Sequence, residues 1–129
     1  MIGIVIVAHG GLAEEYKSAV EHVVGKQDGI FAIPVQADHD RSKKEAEIRE
    51  AADKADTGNG VVVVVDMFGG SPSNLSVQAC ETSNRRVLYG ANLPMLVKLA
   101  KCRSCDIEAA ISKSVQAGRK YLDCLPASS

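Results

Sequence analysis

The sequence has no hydrophobic run long enough to cross a membrane. The apolar run Val61–Val65 is followed directly by Asp66, whereas a membrane span needs about 20 apolar residues. The N-terminus also lacks the basic segment and the small-residue cleavage site of a secretory signal. We therefore expect a cytoplasmic protein with no direct membrane insertion.

Nucleotide-binding and metal-binding motifs are missing as well. Neither G-x-x-x-x-G-K-[ST] nor G-x-G-x-x-G occurs, which disfavours a nucleotide kinase or a dinucleotide enzyme. Cys102 and Cys105 form a lone C-x-x-C pair without the second ligand pair of a zinc site, so we expect ordinary free thiols rather than a redox or metal site. No cofactor and no metal ion are expected.

A strong excess of charge is also absent. The formal net charge is -1, so no general attraction to nucleic acid or to anionic lipid is expected. Acidic residues outnumber basic ones in residues 1–66, and the reverse holds in residues 67–129. This polarity either steers a protein partner or is a chance segregation.

The remaining composition fits a single domain over residues 1–129. Hydrophobic residues make up 46% and charged residues 24%, as in soluble globular proteins. Apolar, β-branched segments alternate with helical patterns, which predicts an α/β fold with a doubly wound, mainly parallel four-stranded sheet, in the order 2-1-3-4, and helices on both faces. The predicted strands are residues 2–8, Ile30–Val35, Val61–Val65 and 86–90.

Local signals place the edge of the sheet and the helix boundaries. Pro34 cannot donate to a ladder, so the second strand is expected at an edge. Ser42 and Glu45 form a capping-box pattern at the second helix. Ser71 is the expected N-cap of the third helix, with Pro72 as its first residue and its end near residue 83. The first helix is expected to present apolar residues from Leu12 to Val24 on one face, and the last helix to carry Leu122.

Chemically distinctive residues follow the ends of the first and third strands. His9 ends an apolar strand, and Gly10 and Gly11 leave its imidazole uncovered. In the order 2-1-3-4, His9 and Asp66 face each other. Asp66 would hold one ring nitrogen in its protonated form and leave the other free to attack, or it would only cap its own loop. His22 and His39 are expected to be surface residues without partners.

Gly69, Gly70 and Ser71 add a predicted anion site. The start of a helix presents free N–H groups and a partial positive charge, and glycines allow a ligand to approach the backbone. The Ser71 hydroxyl either donates to the same anion or caps its helix.

At these residues the sequence resembles the mannose-type enzyme IIA domains of the bacterial phosphoenolpyruvate-dependent sugar phosphotransferase system. The resemblance covers about residues 1–120 and is carried by residues 4–10, 65–74 and 90–96. It implies that His9 accepts a phosphoryl group from the histidine phosphocarrier protein and passes it to a IIB component. It also implies that Asp66 hydrogen-bonds the histidine, and that Ser71 and nearby backbone N–H groups, including those of Gly10, Gly69 and Gly70, hold the phosphate.

The resemblance also implies a homodimer in which a C-terminal strand is exchanged. Residues 121–125 are the candidate for this extra edge strand. Two functions remain open: a phosphocarrier in sugar uptake, and a regulatory switch in which phosphorylation of His9 controls a partner protein. A third possibility, the phosphotransfer subunit of dihydroxyacetone kinase, is not expected to contain the run Gly69-Gly70-Ser71-Pro72.

A docking surface is expected around His9, because transfer between two histidines brings both proteins within bonding distance. Leu12, Met67, Phe68 and Leu93 are the candidate contacts, with basic residues at the rim to steer an acidic partner. The alternative for Phe68 and Leu93 is that they cover their own helices.

Overall fold

Strands and helices alternate along the chain in a computed structural model, which describes residues 1–80 and 84–127. Within those residues the strands are β1 (Gly3–His9), β2 (Ile30–Val35), β3 (Val61–Val65) and β4 (Arg85–Tyr89). The helices are α1 (Leu12–Val24), α2 (Arg41–Ala55), α3 (Ser71–Ala79), α4 (Leu93–Lys101) and α5 (Ile107–Lys120).

The strands form one sheet in the order β2-β1-β3-β4, and every neighbouring pair is parallel. The predicted fold class and strand order are thereby confirmed. β2 lies at an edge, as Pro34 predicted, with Pro34 opposite Ala8. Val7 pairs with Val65 in β3, so the ends of β1 and β3 lie side by side.

Helices cover both faces of the sheet. One core layer joins alternate residues of β1 and β3, such as Ile4, Ile6 and Val64, to α1, α4 and α5. The other layer joins the intervening residues, such as Val5 and Val63, to α2 and α3. Both faces of the central strands are buried, which explains their nearly continuous apolar sequence.

Several predicted boundaries are wrong. The N-cap of α2 is Asp40, whose side chain accepts a hydrogen bond from the Lys43 N–H, and not Ser42. The N-cap of α3 is Gly70, and Ser71 is the first helical residue. β4 begins and ends one residue earlier than predicted. The helical part of α3 that is described ends at Ala79, and the predicted end near residue 83 lies outside the described residues.

Two expectations about apolar surface also fail. Val23 is exposed on α1, and Leu122 lies beyond α5 and is exposed. Residues 121–125 form no strand in this chain, although Leu125 and Leu122 are apolar. The extra C-terminal edge strand is therefore absent from the fold of a single described chain.

No helix in the described part of the chain is long and apolar enough to cross a membrane. Cys102 and Cys105 are free thiols, the first buried and the second half-buried. Burial raises the pKa of the Cys80 thiol to about 11, which outweighs the opposing charge of Arg85. Cys80 is therefore an unreactive thiol at neutral pH.

Candidate functional site

His9 and Asp66 form a hydrogen-bonded pair at the carboxyl end of the sheet. His9 is the last residue of β1, and Asp66 directly follows β3. The His9 Nδ1 lies 2.7 Å from Asp66 Oδ2, and the same oxygen accepts the His9 backbone N–H at 3.0 Å. The other carboxylate oxygen accepts the Met67 N–H at 3.0 Å. Asp66 thus orients the histidine and also caps its own loop.

The protonation states follow from these contacts. Partial burial by itself raises the pKa of Asp66, but the hydrogen bonds from the His9 N–H and ring, the charge of His9 and the Met67 N–H together lower that pKa below its ordinary value. Asp66 is therefore an ionised carboxylate, which can only accept hydrogen bonds. The His9 proton lies on Nδ1, and in the neutral ring the electron pair lies on Nε2.

The free edge of the His9 ring faces the start of α3. A Cβ atom on Gly70 would lie 3.1 Å from His9 Cε1 and 3.4 Å from Nε2, so a larger residue would displace the ring by a few tenths of an ångström. Pro72 lacks an N–H, but the first-turn N–H groups of Ser71 and Ser73 have no carbonyl partner within the helix. The edge of the ring that carries Nε2 thus faces a helix N-terminus, where free N–H groups favour an anion.

The predicted phosphate-binding glycines lie in the turns that follow β1 and β3. Gly10 and Gly69 adopt left-handed φ angles of 57° and 94°, which L side chains rarely adopt. These angles turn the chain sharply after β1 and before α3. The structure therefore brings Gly10, Gly69, Gly70 and Ser71 to the same end of the sheet as His9.

A groove of about 270 Å³ opens beside His9. Half of the His9 side chain is exposed, at 49%, whereas Asp66 is 11% exposed. The described residues that line the groove are His9, Gly10, Val35, Gln36, Ala37, His39 and Ser71.

His39 is the residue of this groove that sequence reasoning missed. We predicted a surface histidine without partners, but its side chain is half-buried and its Nδ1 lies 2.7 Å from the Gln36 carbonyl oxygen. The available signal was its place in the loop after β2, since that loop also lies at the carboxyl end of the sheet. His22, by contrast, is exposed on α1 as predicted.

Exposed apolar residues lie at the same end of the sheet. Leu12 and Leu93 begin α1 and α4, and Met67 and Phe68 follow β3. The exposed fraction is 44% for Leu12, 37% for Leu93, 56% for Met67 and 69% for Phe68. Phe68 stacks on the exposed Tyr89, with ring centroids 5.0 Å apart. Phe68 therefore extends an aromatic surface with Tyr89 and does not cover its own helix.

A second cavity opens elsewhere, and neither His9 nor Asp66 lines it. It has a volume of about 410 Å³ and lies beside β4, between α4 and α5. Its lining includes Tyr89, Met95, Val115 and Leu122. Among residues 1–80 and 84–127, no three His, Cys, Asp or Glu side chains are grouped to hold a metal ion.

The fold and the site define a class: a parallel α/β protein with a carboxylate-oriented histidine at the reversal of strand order, next to a helix N-terminus. The chain belongs to the family described as the phosphotransferase-system fructose IIA component, whose model it matches over residues 3–117. The predicted family resemblance is confirmed.

Relatives support this membership. The mannose-specific EIIAB component of Escherichia coli K12 is 30% identical over 129 residues, which cover 98% of this chain and 40% of that protein. The chain therefore spans about 40% of the length of that relative. The fructose-specific EIIA component of Bacillus subtilis is 24% identical over 104 residues, which cover 80% of this chain and 71% of that protein.

Solved structures confirm the fold. The phosphotransferase-system EIIA component of Streptococcus agalactiae superimposes with a TM-score of 0.85 at 24% identity, covering 96% of this chain and 97% of its own. The mannose/sorbose-specific IIA subunit of Enterococcus faecalis superimposes with a TM-score of 0.82 at 24% identity, covering 97% of this chain and 95% of its own.

Proposed function

We propose that this chain is a cytoplasmic phosphocarrier of the sugar phosphotransferase system. His9 accepts a phosphoryl group from the histidine phosphocarrier protein and passes it to a IIB component. The observation that carries the proposal is the 2.7 Å contact of His9 Nδ1 with Asp66, which leaves Nε2 as the free nitrogen of a half-exposed ring. Membership of the IIA family supports it.

The transfer step exchanges one phosphorus–nitrogen bond for another. The electron pair of His9 Nε2 forms a bond to phosphorus, while the bond from phosphorus to the donor histidine breaks and its electron pair stays on the donor nitrogen. Because Nδ1 keeps its proton, the His9 ring becomes positive as the new bond forms. Asp66 stabilises this developing charge. Transfer to the acceptor reverses these roles.

The phosphoryl oxygens are held by donors at the start of α3, which the His9 ring faces. These are the first-turn N–H groups of Ser71 and Ser73, with the Ser71 hydroxyl beside them in the groove. Donors fixed in place before the reaction stabilise charge without reorganisation. Gly70 favours this arrangement because a Cβ atom there would crowd the His9 ring.

The docking surface for the phosphocarrier protein is the apolar area around His9. It consists of Leu12, Met67, Phe68 and Leu93, together with Tyr89, which the sequence did not predict. Aromatic and methionine side chains are enriched at protein interfaces. Half-exposure of His9 at the centre of this area gives a partner histidine direct access to Nε2.

A homodimer is part of the proposal. β4 is an edge strand that pairs only with β3 among the described strands, and the 410 Å³ cavity lies beside it. Tyr121, Leu122 and Leu125 are 68%, 74% and 84% exposed in the segment that follows α5. Such an apolar tail next to an open sheet edge fits exchange of residues 121–125 between two chains.

Incubation with phosphoenolpyruvate, enzyme I and the histidine phosphocarrier protein, followed by intact-mass measurement, tests the function. We expect one added phosphoryl group that is lost in acid and retained in base, as for a phosphorus–nitrogen bond, and no addition to His9→Ala. Subsequent addition of a IIB component should remove the group. Equal labelling of His9→Ala would disprove the assignment of His9.

A further inference from the structure

His39 lies in the His9 groove but has no part in the function described so far. The groove contains two ionisable residues among its described lining, and both are histidines. Its other lining residues are Gly10, Val35, Gln36, Ala37 and Ser71. The groove has no lining carboxylate in the described residues, so its chemistry suits an anion.

Backbone contacts fix the position of His39. The Gly10 N–H donates to the Val35 carbonyl at 3.1 Å, which joins the end of β2 to the residue after His9. The Gln36 carbonyl accepts the His39 backbone N–H at 3.3 Å, which closes the turn after β2. Asp40, the next residue, caps α2. The chain is therefore anchored on both sides of His39.

The ring of His39 is oriented by the same carbonyl. His39 Nδ1 lies 2.7 Å from the Gln36 oxygen, and a carbonyl oxygen can only accept a hydrogen bond. The proton of the neutral ring is therefore on Nδ1, and Nε2 is the nitrogen without a fixed partner in this contact. A proton gained by the ring would be placed on Nε2, where it makes a donor.

We propose that His39 is a phosphate-binding residue: its protonated ring donates a hydrogen bond from Nε2 to an oxygen of the phosphoryl group on His9. The inference rests on the proposed phosphocarrier function and extends it. A phosphoryl dianion beside the ring favours the protonated form of His39, whereas the lone pair of a neutral Nε2 would repel the phosphoryl oxygens. Phosphorylation of His9 is thus coupled to uptake of one proton from solvent.

The coupling makes the phosphorylation equilibrium sensitive to pH through a second histidine. The hydrogen bond from Nε2 needs the protonated ring, so raising the pH weakens it. His9 and Ser71 line the groove together with His39. The nearest carboxylates outside the lining are Asp66, which binds His9 Nδ1, and Asp38 and Asp40, which are the chain neighbours of His39.

Phosphoryl exchange with the phosphorylated histidine phosphocarrier protein tests the proposal. The ratio of the two phosphoproteins at equilibrium, read by intact mass, gives the equilibrium constant for wild type, His39→Ala, His39→Gln and the exposed control His22→Gln. We expect the equilibrium constant to be about tenfold lower for His39→Ala. For His39→Gln, which keeps a neutral N–H donor, we expect a smaller decrease. The constant of His22→Gln should equal that of the wild type. The equilibrium constant of the wild type, divided by that of His39→Gln, should fall as the pH rises from about 6 to 8.

Ring nitrogen NMR of the wild-type protein supplies a measurement that needs no variant. At a pH where the unphosphorylated His39 ring is neutral, phosphorylation should convert its Nε2 resonance to that of a protonated nitrogen. The proposal is overturned if the His39 resonance does not change on phosphorylation, or if His39→Ala has the same equilibrium constant as His22→Gln. In either case, labelling of His9 still supports the phosphocarrier function. A wild-type protein that takes no phosphoryl group overturns both.

Discussion

Gly70 lies so close to His9 that a single added methyl group would press on the ring. The closest approach would be 3.1 Å, to His9 Cε1. The φ angle of Gly70 is -94°, which any residue adopts without strain. Glycine is therefore favoured at this position for the space it leaves and not for its backbone conformation.

Gly70→Ala should slow phosphorylation by about tenfold, because displacing the nucleophile by a fraction of an ångström disturbs its alignment. The melting temperature should change little, since the backbone is unstrained. Gly11→Ala is the matched control, because its added Cβ would meet nothing within 4 Å and its φ is -91°. Rates of phosphoryl uptake by quenched flow measure the effect. Equal rates for both variants would contradict the crowding argument.

Asp66→Asn should slow phosphorylation by about a hundredfold or more. The amide nitrogen of asparagine can donate to His9 Nδ1, which moves the ring proton to Nε2 and removes the attacking electron pair. Nitrogen NMR of His9 should show this exchange of tautomers. A variant with the wild-type tautomer and the wild-type rate would exclude Asp66 from the reaction.

Asp66 should also contribute to stability in a pH-dependent way. Its pKa in the folded protein lies below the ordinary value of 3.8, so its stabilisation is present above about pH 4 and is lost as the pH falls through the folded value. Near pH 7, Asp66→Asn should reduce the free energy of unfolding by about 2 kcal/mol. The difference between the two proteins, measured by urea unfolding, should shrink below pH 4. A constant difference down to pH 2 would contradict this linkage.

Phe68→Ala should raise the apparent KM for the histidine phosphocarrier protein by about tenfold, as expected for an aromatic interface contact. Its thermal stability should change little, because the side chain is 69% exposed. Val23→Ala serves as the control, since Val23 is 53% exposed on the last turn of α1 and lies away from His9. A large loss of stability with unchanged kinetics would show that Phe68 is a structural residue.

Replacing Leu122 and Leu125 together by Asp should convert a dimer into a monomer, because both side chains belong to the tail proposed for exchange. Light scattering coupled to size-exclusion chromatography measures the mass. Val77→Asp, at an exposed position on α3, should leave the dimer intact. A monomeric wild-type protein would disprove the dimer without affecting the phosphotransfer proposal.

The sequence predicted the sheet well because its strands are buried on both faces. Val61–Val65 is entirely apolar and entirely buried, and no helix pattern competes with it. Pro34 predicted that β2 lies at an edge of the sheet, because proline has no N–H to donate to a neighbouring strand. The pairing of His9 with Asp66 then followed from strand order, because adjacent parallel strands end at the same edge.

Cap and loop details were less predictable because neighbouring residues offer equivalent groups. Asp40 and Ser42 are both good N-caps, and only the path of the chain after β2 decides between them. The place of His39 after β2 indicated the correct end of the sheet, but its orientation depends on the turn closed by the Gln36 carbonyl, which no sequence pattern predicts. Leu122 has the spacing of a helical apolar face, but α5 ends before it.

The two edges of the sheet are unequal, and this asymmetry limits how the protein can associate. In β2 the carbonyls of Gly29 and Val35 face β1. Because backbone groups of successive residues point to opposite sides of a strand, the Pro34 nitrogen, which has no hydrogen to donate, faces away from β1. In β4 the Asn84 carbonyl faces β3, so Val87 and Tyr89 direct their backbone groups outward. Strand addition is thus disfavoured at one edge and open at the other. Two chains that join through their β4 edges form a closed pair and leave only the disfavoured β2 edges for further addition.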